Sequence, residues 1–220
     1  MRNLPRTHSR TEIAAGVLND VAALHPLISP VPNIVGPAYG APMCDRAILV
    51  IRAVEHLLTG LELALPIAVA DAADTSWKRH HAAPHAARGA LRERAGEPPF
   101  AQDDIPHGAR GWRFPHLTPA EHVILGTDLK RLHAGLIAAE VTLANTFGAR
   151  HNLRTRAAKA IRILLRLRSR LDTIAAQDCP EGVSGHPAAA IYFGAVVGMG
   201  GIGGMFQDLP VNCHRYDIET

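Results

Sequence analysis

The feature that most constrains the fold is a pair of strongly patterned segments that follow residue 117 and are separated by a short break. The run Thr118-Pro119-Ala120-Glu121 is a capping box with proline at the first helical position, so a helix is predicted to begin there. Apolar residues continue it at helical spacing, and Gly148 is the predicted C-terminal stop. Asn152 is predicted to cap a second helix, which ends near Gln177. Because the connection is short, the two helices are expected to lie antiparallel against each other.

Two further helices are predicted in the N-terminal part of the chain. The run Ser9-Arg10-Thr11-Glu12 is a capping box for the first helix, and Pro26 is expected to end it. The stretch 26–42 is rich in proline and is interpreted as an extended connector packed on the surface. The next helix is predicted to run from about Met43 to Ala73, with Pro66 kinking or ending it.

Residues 78–116 lose the apolar periodicity and are rich in charged residues, histidine and proline. They are interpreted as a flexible loop with one short helix near 86–95, whose far end is pinned to the core by Trp112 and Phe114. The predicted organisation is N-terminal helices (1–77), the flexible loop (78–116), a helical hairpin packing on the N-terminal helices as one domain (117–180), and an apolar glycine-rich arm and tail (181–220).

The composition agrees with a helical core. Hydrophobic residues make up 47% of the chain and charged residues 20%, but aromatic residues only 5%, so the core must be aliphatic and alanine-rich. Alanine favours closely packed helices because it loses no side-chain entropy in a helix. The predicted fold is all-α, an antiparallel bundle of four main helices with a long middle loop and a glycine-rich C-terminal arm.

The C-terminal arm is the strongest pointer to a partner. No charged residue occurs between Pro187 and Phe206, a length that could span a bilayer. Six glycines between Gly194 and Gly204 weaken a helix there, so we interpret the segment as a pliable strap against apolar surface and do not expect membrane insertion. An uncharged surface of this size usually meets another protein or a second copy of the chain. The candidate partner-binding residues are Ile191, Tyr192, Phe193, Val196, Val197, Met205 and Phe206.

A stripe of cations runs along the last predicted helix. At 100° per residue, four cations fall on one side, opposite leucine, isoleucine and alanine: Lys159, Arg162, Arg166 and Arg170. Such a stripe can lie along the phosphates of a nucleic acid, which makes binding salt-dependent. It can equally be a solvated face, or pair with acidic residues of the preceding helix. The candidate nucleic-acid-binding residues are Arg154, Lys159, Arg162, Arg166 and Arg170.

An arginine and a histidine on the second predicted helix raise a catalytic alternative. Helical ribonucleases of the HEPN class use such a pair, at a wider spacing than that of Arg52 and His56. With Glu55, the pair here also fits a polar seam between helices, which is the favoured interpretation over general acid–base catalysis. No catalytic residue is assigned.

The sequence carries no signature of a metal or cofactor site. The three cysteines, Cys44, Cys179 and Cys213, are far apart and form no C-x-x-C pair, which fits free thiols in a reducing cytoplasm. No glutamate precedes a histidine at the spacing of di-iron helices, and no strand pattern precedes a glycine-rich nucleotide motif. We expect no cofactor, no metal and a cytoplasmic location. The net charge of +3 permits contact with nucleic acid without requiring it.

Residues 117–178 contain the motifs Leu-Thr-Pro-Ala-Glu-His, Leu-Gly-x-x-Leu, Asn-x-x-Gly and Leu-Arg-Ser-Arg-Leu-Asp. In these motifs the segment resembles a helical hairpin found in many small hypothetical proteins of actinobacteria and their phages. The motifs are helix caps and core positions, so the resemblance implies a shape and no activity.

The function expected from the sequence is non-enzymatic. The chain is interpreted as a helical binding or assembly module that contacts itself or another protein through helical faces and the apolar arm. The first alternative is a nucleic-acid-associated protein that uses the arginine stripe. The second alternative is a helical nuclease or hydrolase centred on Arg52 and His56.

Overall fold

The described part of the chain is mainly helical, which confirms the all-α prediction. The computed structural model describes residues 9–65, 84–100, 107–108, 111–112, 114–182 and 191–193. The helices are α1 (Arg10–Ile28), α2 (Val31–Tyr39), α3 (Ala41–Ala64), α4 (Pro84–Arg94), α5 (Pro119–Phe147) and α6 (Asn152–Asp178). Two short antiparallel strands, β1 (His107–Gly108) and β2 (Gly111–Trp112), form a small hairpin. None of the described helices combines the length and the apolar character that crossing a membrane requires.

The helix predicted to begin at residue 118 has the expected ends. The Thr118 hydroxyl accepts a hydrogen bond from the Glu121 N–H, and the Glu121 carboxylate accepts one from the Thr118 N–H, which completes the capping box of α5. Gly148 follows the last residue of α5. The cap of α6 is His151 and not Asn152, because the His151 ring accepts a hydrogen bond from a backbone N–H of the first turn. Asn152 is therefore the first helical residue of α6.

Contacts at both ends of the hairpin place α5 and α6 antiparallel. Near the turn, Arg154 Nε lies 2.7 Å from Glu140 Oε1. At the other end, His122 Nε2 lies 3.2 Å from Asp178 Oδ2. Between these ends the helices bury apolar side chains spaced three or four residues apart: Leu125, Leu129, Leu132, Leu136, Ala139 and Leu143 of α5, and Leu153, Ala157, Ala160, Leu164, Leu167 and Leu171 of α6.

The stretch 26–42 is helical, so its interpretation as an extended surface connector is wrong. Pro26 lies in the last turn of α1, which continues to Ile28. Pro32 and Pro42 lie at the first positions of α2 and α3, where a backbone N–H has no partner within the helix and proline costs little. The stretch also contributes to the core, since α2 buries Val31, Pro32, Ile34, Val35 and Ala38.

The second predicted helix corresponds to α3, which ends at Ala64. Leu65 has extended backbone angles, φ −95° and ψ 149°, as expected for a residue that precedes a proline. Residues 66–83 lie outside the described part of the chain. The predicted continuation to Ala73 therefore falls outside the described residues.

The short helix predicted near 86–95 is confirmed as α4, and a buried ion pair fixes it to the core. Arg88 of α4 and Glu121 of α5 are both fully buried. Arg88 Nε lies 2.6 Å from Glu121 Oε1, and Arg88 Nη2 lies 2.7 Å from Glu121 Oε2. The middle segment thus contains a helix that is anchored to the start of the hairpin.

Phe114, one of the two residues expected to pin the end of the middle segment, is buried. Its ring packs against the rings of His85 and Phe100, with centroid distances of 6.2 and 5.6 Å. The side chain of Trp112, the other expected residue, lies outside the described part.

The four long helices enclose the core, and each contacts two of the others. α1 packs against α3 and α5, and α6 packs against the same two helices from the other side. α2 lies on α3, and α4 bridges α2 and α5. This arrangement leaves one side of α3 and the neighbouring side of α6 open to solvent, and the cations lie there.

Candidate basic face and adjoining groove

One side of α6 carries a row of exposed cations. Lys159, Arg162, Arg166 and Arg170 are all exposed, and no exposed residue of α6 is acidic. At 1.5 Å per residue, the row is about 16 Å long. Arg154 differs from these four, because its ion pair with Glu140 partly neutralises it.

α3 lies antiparallel beside α6 and contributes two more exposed cations. Near one end, Arg156 Nη1 donates to the backbone carbonyl of His56 at 2.7 Å. Near the other end, Arg46 of α3 and Arg170 of α6 line the same groove. Arg52, between these two points on α3, is also exposed. Exposed cations therefore lie on both of these adjacent helices.

The exposed cations of these two adjacent helices are hereafter called the basic face. None of its members has an acidic partner within the described residues. Asp45 is the one acidic residue among the exposed side chains of α3, so little negative charge offsets the positive potential there. The basic face consists of Arg46, Arg52, Lys159, Arg162, Arg166 and Arg170.

Arg52, Glu55 and His56 are not joined to one another by any hydrogen bond or ion pair among the described residues. The side chains of Arg52 and His56 are exposed on the outer side of α3. Glu55 faces His25 of α1, with 4.0 Å between Oε1 and Nε2. Arg52 thus contributes to the charge of the basic face rather than to a built acid–base pair.

A network of polar side chains surrounds Asp178 at the carboxyl end of α6. Tyr39 Oη donates to Asp178 Oδ2 at 2.7 Å, and His122 Nε2 lies 3.2 Å from the same oxygen. His116 Nδ1 lies 3.0 Å from Oδ1. Tyr192 extends the network, since its hydroxyl lies 2.7 Å from His122 Nδ1. These five residues, hereafter the Asp178 cluster, join α2, the segment before α5, α5 itself, α6 and residues 191–193.

The hydrogen bonds of the cluster fit one set of proton positions. An ionised carboxylate only accepts, so His122 must carry its proton on Nε2 to bond Asp178. The neutral ring then accepts at Nδ1 from the Tyr192 hydroxyl. Tyr39 donates to Asp178 and accepts from the Leu117 N–H at 3.0 Å. Tyr39, His122 and Tyr192 are thus all hydrogen-bonded while uncharged, and Asp178 is the one charged group among these four residues.

The pKa values of the cluster agree with these proton positions. Burial lowers the pKa of His122, against the opposing influence of Asp178. Burial alone would raise the pKa of Asp178, but hydrogen bonds from the tyrosine and the two histidines outweigh it and lower the pKa. Burial, followed by the hydrogen bond to Asp178, raises the pKa of Tyr39. At neutral pH the carboxylate is therefore charged, His122 is neutral and Tyr39 is protonated.

A groove of about 930 Å³ lies beside the Asp178 cluster, at the corner where α2 meets α3. Gly40 forms the corner with φ 88° and ψ 178°, a conformation that is essentially restricted to glycine. Four titratable side chains line the groove: Tyr39, Arg46, His116 and Arg170. Its apolar lining includes Pro37, Met43, Phe114 and Ile174.

Two residues expected to bind a partner are instead buried within this chain. Ile191 is 3% exposed and Tyr192 is 0% exposed. The Ile191 carbonyl lies directly on Gly126 of α5, where a Cβ atom would be only 2.3 Å from the oxygen. Arg168 Nε donates to the Tyr192 carbonyl at 2.9 Å, and its guanidinium lies 4.6 Å from the centre of the Phe193 ring. The other four candidates, Val196, Val197, Met205 and Phe206, lie outside the described residues.

No family model, curated protein or solved structure matches this chain. Within the described ranges, no group of three or more histidine, cysteine, aspartate or glutamate side chains is arranged to hold a metal ion. The function is therefore inferred from the geometry and charge of the described residues.

Sequence reasoning did not identify the residues of the Asp178 cluster or the groove as a site. One signal was present: a carboxylate at the last position of a helix is unfavourable beside the negative end of the helix dipole, and Asp178 occupies that position. A residue that breaks a local rule often has a role in tertiary structure or function. Tyr39 and His116 showed no such signal, because they lie in segments interpreted as connector and loop.

Proposed function

We propose that this protein binds nucleic acid through its basic face, without catalysing a reaction on it. The observation that carries the proposal is that six exposed cations on two adjacent helices have no acidic partner among the described residues. Two antiparallel helices offer a wider strip of positive charge than one helix would. Cations that contact phosphates release counterions from the nucleic acid, which is the main source of sequence-independent affinity.

The assembly function expected from the sequence has less support. It depended on the uncharged run 187–206 of the arm, and the described part of that run is residues 191–193. Ile191 and Tyr192 are buried in the chain's own core and thus offer no surface to a partner. A protein is the alternative partner for the basic face, and such a protein would need an acidic surface.

The proposal predicts a steep dependence of affinity on salt. If about five cations contact phosphates, the slope of log affinity against log salt is about −4.5 for duplex DNA and about −3.5 for a single strand. With the duplex slope, affinity falls about 500-fold between about 50 and about 200 mM salt. Fluorescence anisotropy with a labelled duplex and its single strands, titrated with the full chain at several salt concentrations, measures both slopes.

A matched pair of variants tests whether the basic face is responsible. Arg166→Gln removes one cation from the face and should make the slope shallower by about 1. Arg10→Gln removes an exposed arginine at the start of α1, outside the face, and should leave the slope unchanged. Binding that is absent at low salt or insensitive to salt contradicts the proposal, as does an equal effect of the two variants.

A further inference from the structure

The groove beside the Asp178 cluster is an open depression that apolar and polar side chains line together. Its volume of about 930 Å³ lies within the range of ligand pockets. Apolar side chains such as Phe114 and Ile174 share the lining with a few polar ones, as ligand sites commonly do. The lining includes two guanidinium groups and an imidazole, and no acidic side chain among the described residues lines the groove, which indicates an anionic ligand.

Two guanidinium groups in the groove are free to bind such a ligand. Arg46 and Arg170 are exposed, and neither has an acidic partner in the described part of the chain. They come from different helices, α3 and α6, and meet at this groove. Guanidinium groups bind phosphate oxygens through paired N–H donors, which gives both energy and orientation.

The third polar group, His116, is held in place from behind. Its Nδ1 lies 3.0 Å from Asp178 Oδ1, and its ring is tilted against the Tyr39 ring at a centroid distance of 5.0 Å. The side chain is 67% exposed, and Nε2 has no partner among the described residues. A carboxylate bonded to Nδ1 fixes the orientation of the imidazole ring. Nε2 is thus the ring nitrogen available to a ligand.

We propose that this groove binds a phosphate monoester, held by Arg46, Arg170 and His116. A monoester carries close to two negative charges at neutral pH and three acceptor oxygens, which match two guanidinium groups and an imidazole better than the single charge of a carboxylate does. The organic part of the ligand occupies the apolar lining beside Phe114 and Ile174.

The phosphate can belong to a free nucleotide or to the end of a nucleic acid strand. Arg170 belongs to both the groove and the basic face, so a strand lying along α6 would bring its end to the groove. This second source rests on the proposed function, whereas the first does not.

The experiment compares ligands that differ only in the phosphate. The full chain is titrated with an oligonucleotide bearing a 5′-phosphate, the same sequence with a 3′-phosphate, and the same sequence with hydroxyl ends. In parallel, calorimetry compares a nucleoside 5′-monophosphate with its nucleoside. We expect a phosphorylated ligand of at least one kind to bind about tenfold more tightly than its hydroxyl counterpart, as for a charge-assisted contact.

Variants then locate the phosphate contact. Arg46→Gln and His116→Gln should abolish the preference for the phosphorylated ligand, with circular dichroism confirming that both variants are folded. Arg162→Gln, on the basic face but outside the lining of the groove, should weaken all oligonucleotides by the same factor and keep the preference.

The outcomes separate this proposal from the proposed function. Equal binding of phosphorylated and hydroxyl ligands in both arms overturns the phosphate site, even when salt-dependent binding persists. A preference unchanged in Arg46→Gln and His116→Gln also overturns it. A free nucleotide that binds with the expected preference, while no oligonucleotide binds, supports the phosphate site and removes the nucleic-acid function.

Discussion

Arg88 carries a positive charge inside the core. A buried N–H donor of its guanidinium group would destabilise the fold if it had no hydrogen-bond acceptor. Besides its two bonds with Glu121, it donates from Nη1 to the Pro115 carbonyl at 3.1 Å and from Nη2 to the His116 carbonyl at 3.0 Å. Glu121 in turn accepts the Thr118 N–H at 2.8 Å. One residue thus holds α4, the segment before α5 and the first turn of α5 together.

Replacing Arg88 by methionine should lower the free energy of unfolding by about 3–5 kcal/mol, because it leaves the Glu121 carboxylate buried without its partner. Urea unfolding followed by circular dichroism measures the change. Arg10→Met, at an exposed arginine of α1, should change the free energy of unfolding by no more than about 0.5 kcal/mol. A loss below about 1 kcal/mol for Arg88→Met would mean that the buried pair contributes little to stability.

At the scale of elements, the packing of residues 191–193 on α5 depends on one glycine. The backbone carbonyl of Ile191 occupies the space that a side chain at Gly126 would need. A backbone atom cannot rotate away as the end of a long side chain can. The hydrogen bond between Tyr192 and His122, and the contact of Arg168 with the Tyr192 carbonyl, both depend on this close approach.

Gly126→Ala should therefore displace residues 191–193 and destabilise the protein by about 1–3 kcal/mol, the usual cost of overpacking. Hydrogen exchange at the backbone of these residues should become faster, and urea unfolding gives the free energy. Gly89→Ala is the matched control, since Gly89 lies in α4 with no atom within 4 Å of the added Cβ. It should stabilise the protein by about 0.5–1 kcal/mol, because alanine is the better helix former. Equal effects of the two variants would contradict the close approach at Gly126.

At the scale of the whole molecule, the Asp178 cluster makes stability depend on pH. The unfolded chain protonates His122 near its ordinary pKa of 6.5, whereas burial lowers that pKa in the folded chain. Between these two values the unfolded state binds more protons, so the free energy of unfolding falls as the pH falls. The lowered pKa of Asp178 acts in the same direction at lower pH: its contribution is complete above 3.8 and is lost as the pH falls through the folded value.

We expect the urea midpoint of the protein to decrease between about pH 7.5 and about pH 5.5, and His122→Gln to flatten this decrease. A glutamine side chain can donate to Asp178 and accept from Tyr192, but it does not titrate. Parallel pH profiles for the two proteins would assign the decrease to other histidines.

Much of the exposed positive charge of the described residues lies on two adjacent helices. The chain has a net charge of only +3, yet six exposed cations without an acidic partner among the described residues lie on two adjacent helices, α3 and α6. Such an arrangement attracts a polyanion to one side of the protein, which the overall charge would not do.

The parts of the fold that depend on near neighbours in the chain were predictable. The capping box at Thr118 and the exposed row of cations on α6 follow from residues three or four positions apart. Apolar residues at helical spacing also occur between residues 28 and 38. The prolines of the stretch 26–42 were interpreted as breaks, although two of them, Pro32 and Pro42, lie at helix starts where proline is tolerated.

The sequence by itself therefore determined the all-α class, the ends of α5 and the solvent-facing charge of α6, because caps and helical periodicity are local. Only the tertiary structure decided which polar side chains meet. Tyr39 and Asp178 are 139 residues apart in sequence, and their hydrogen bond exists because α2 and the end of α6 pack at the same corner of the bundle. The groove has the same origin, since Arg46, His116 and Arg170 come from three separate segments that packing, and no local pattern, brings together.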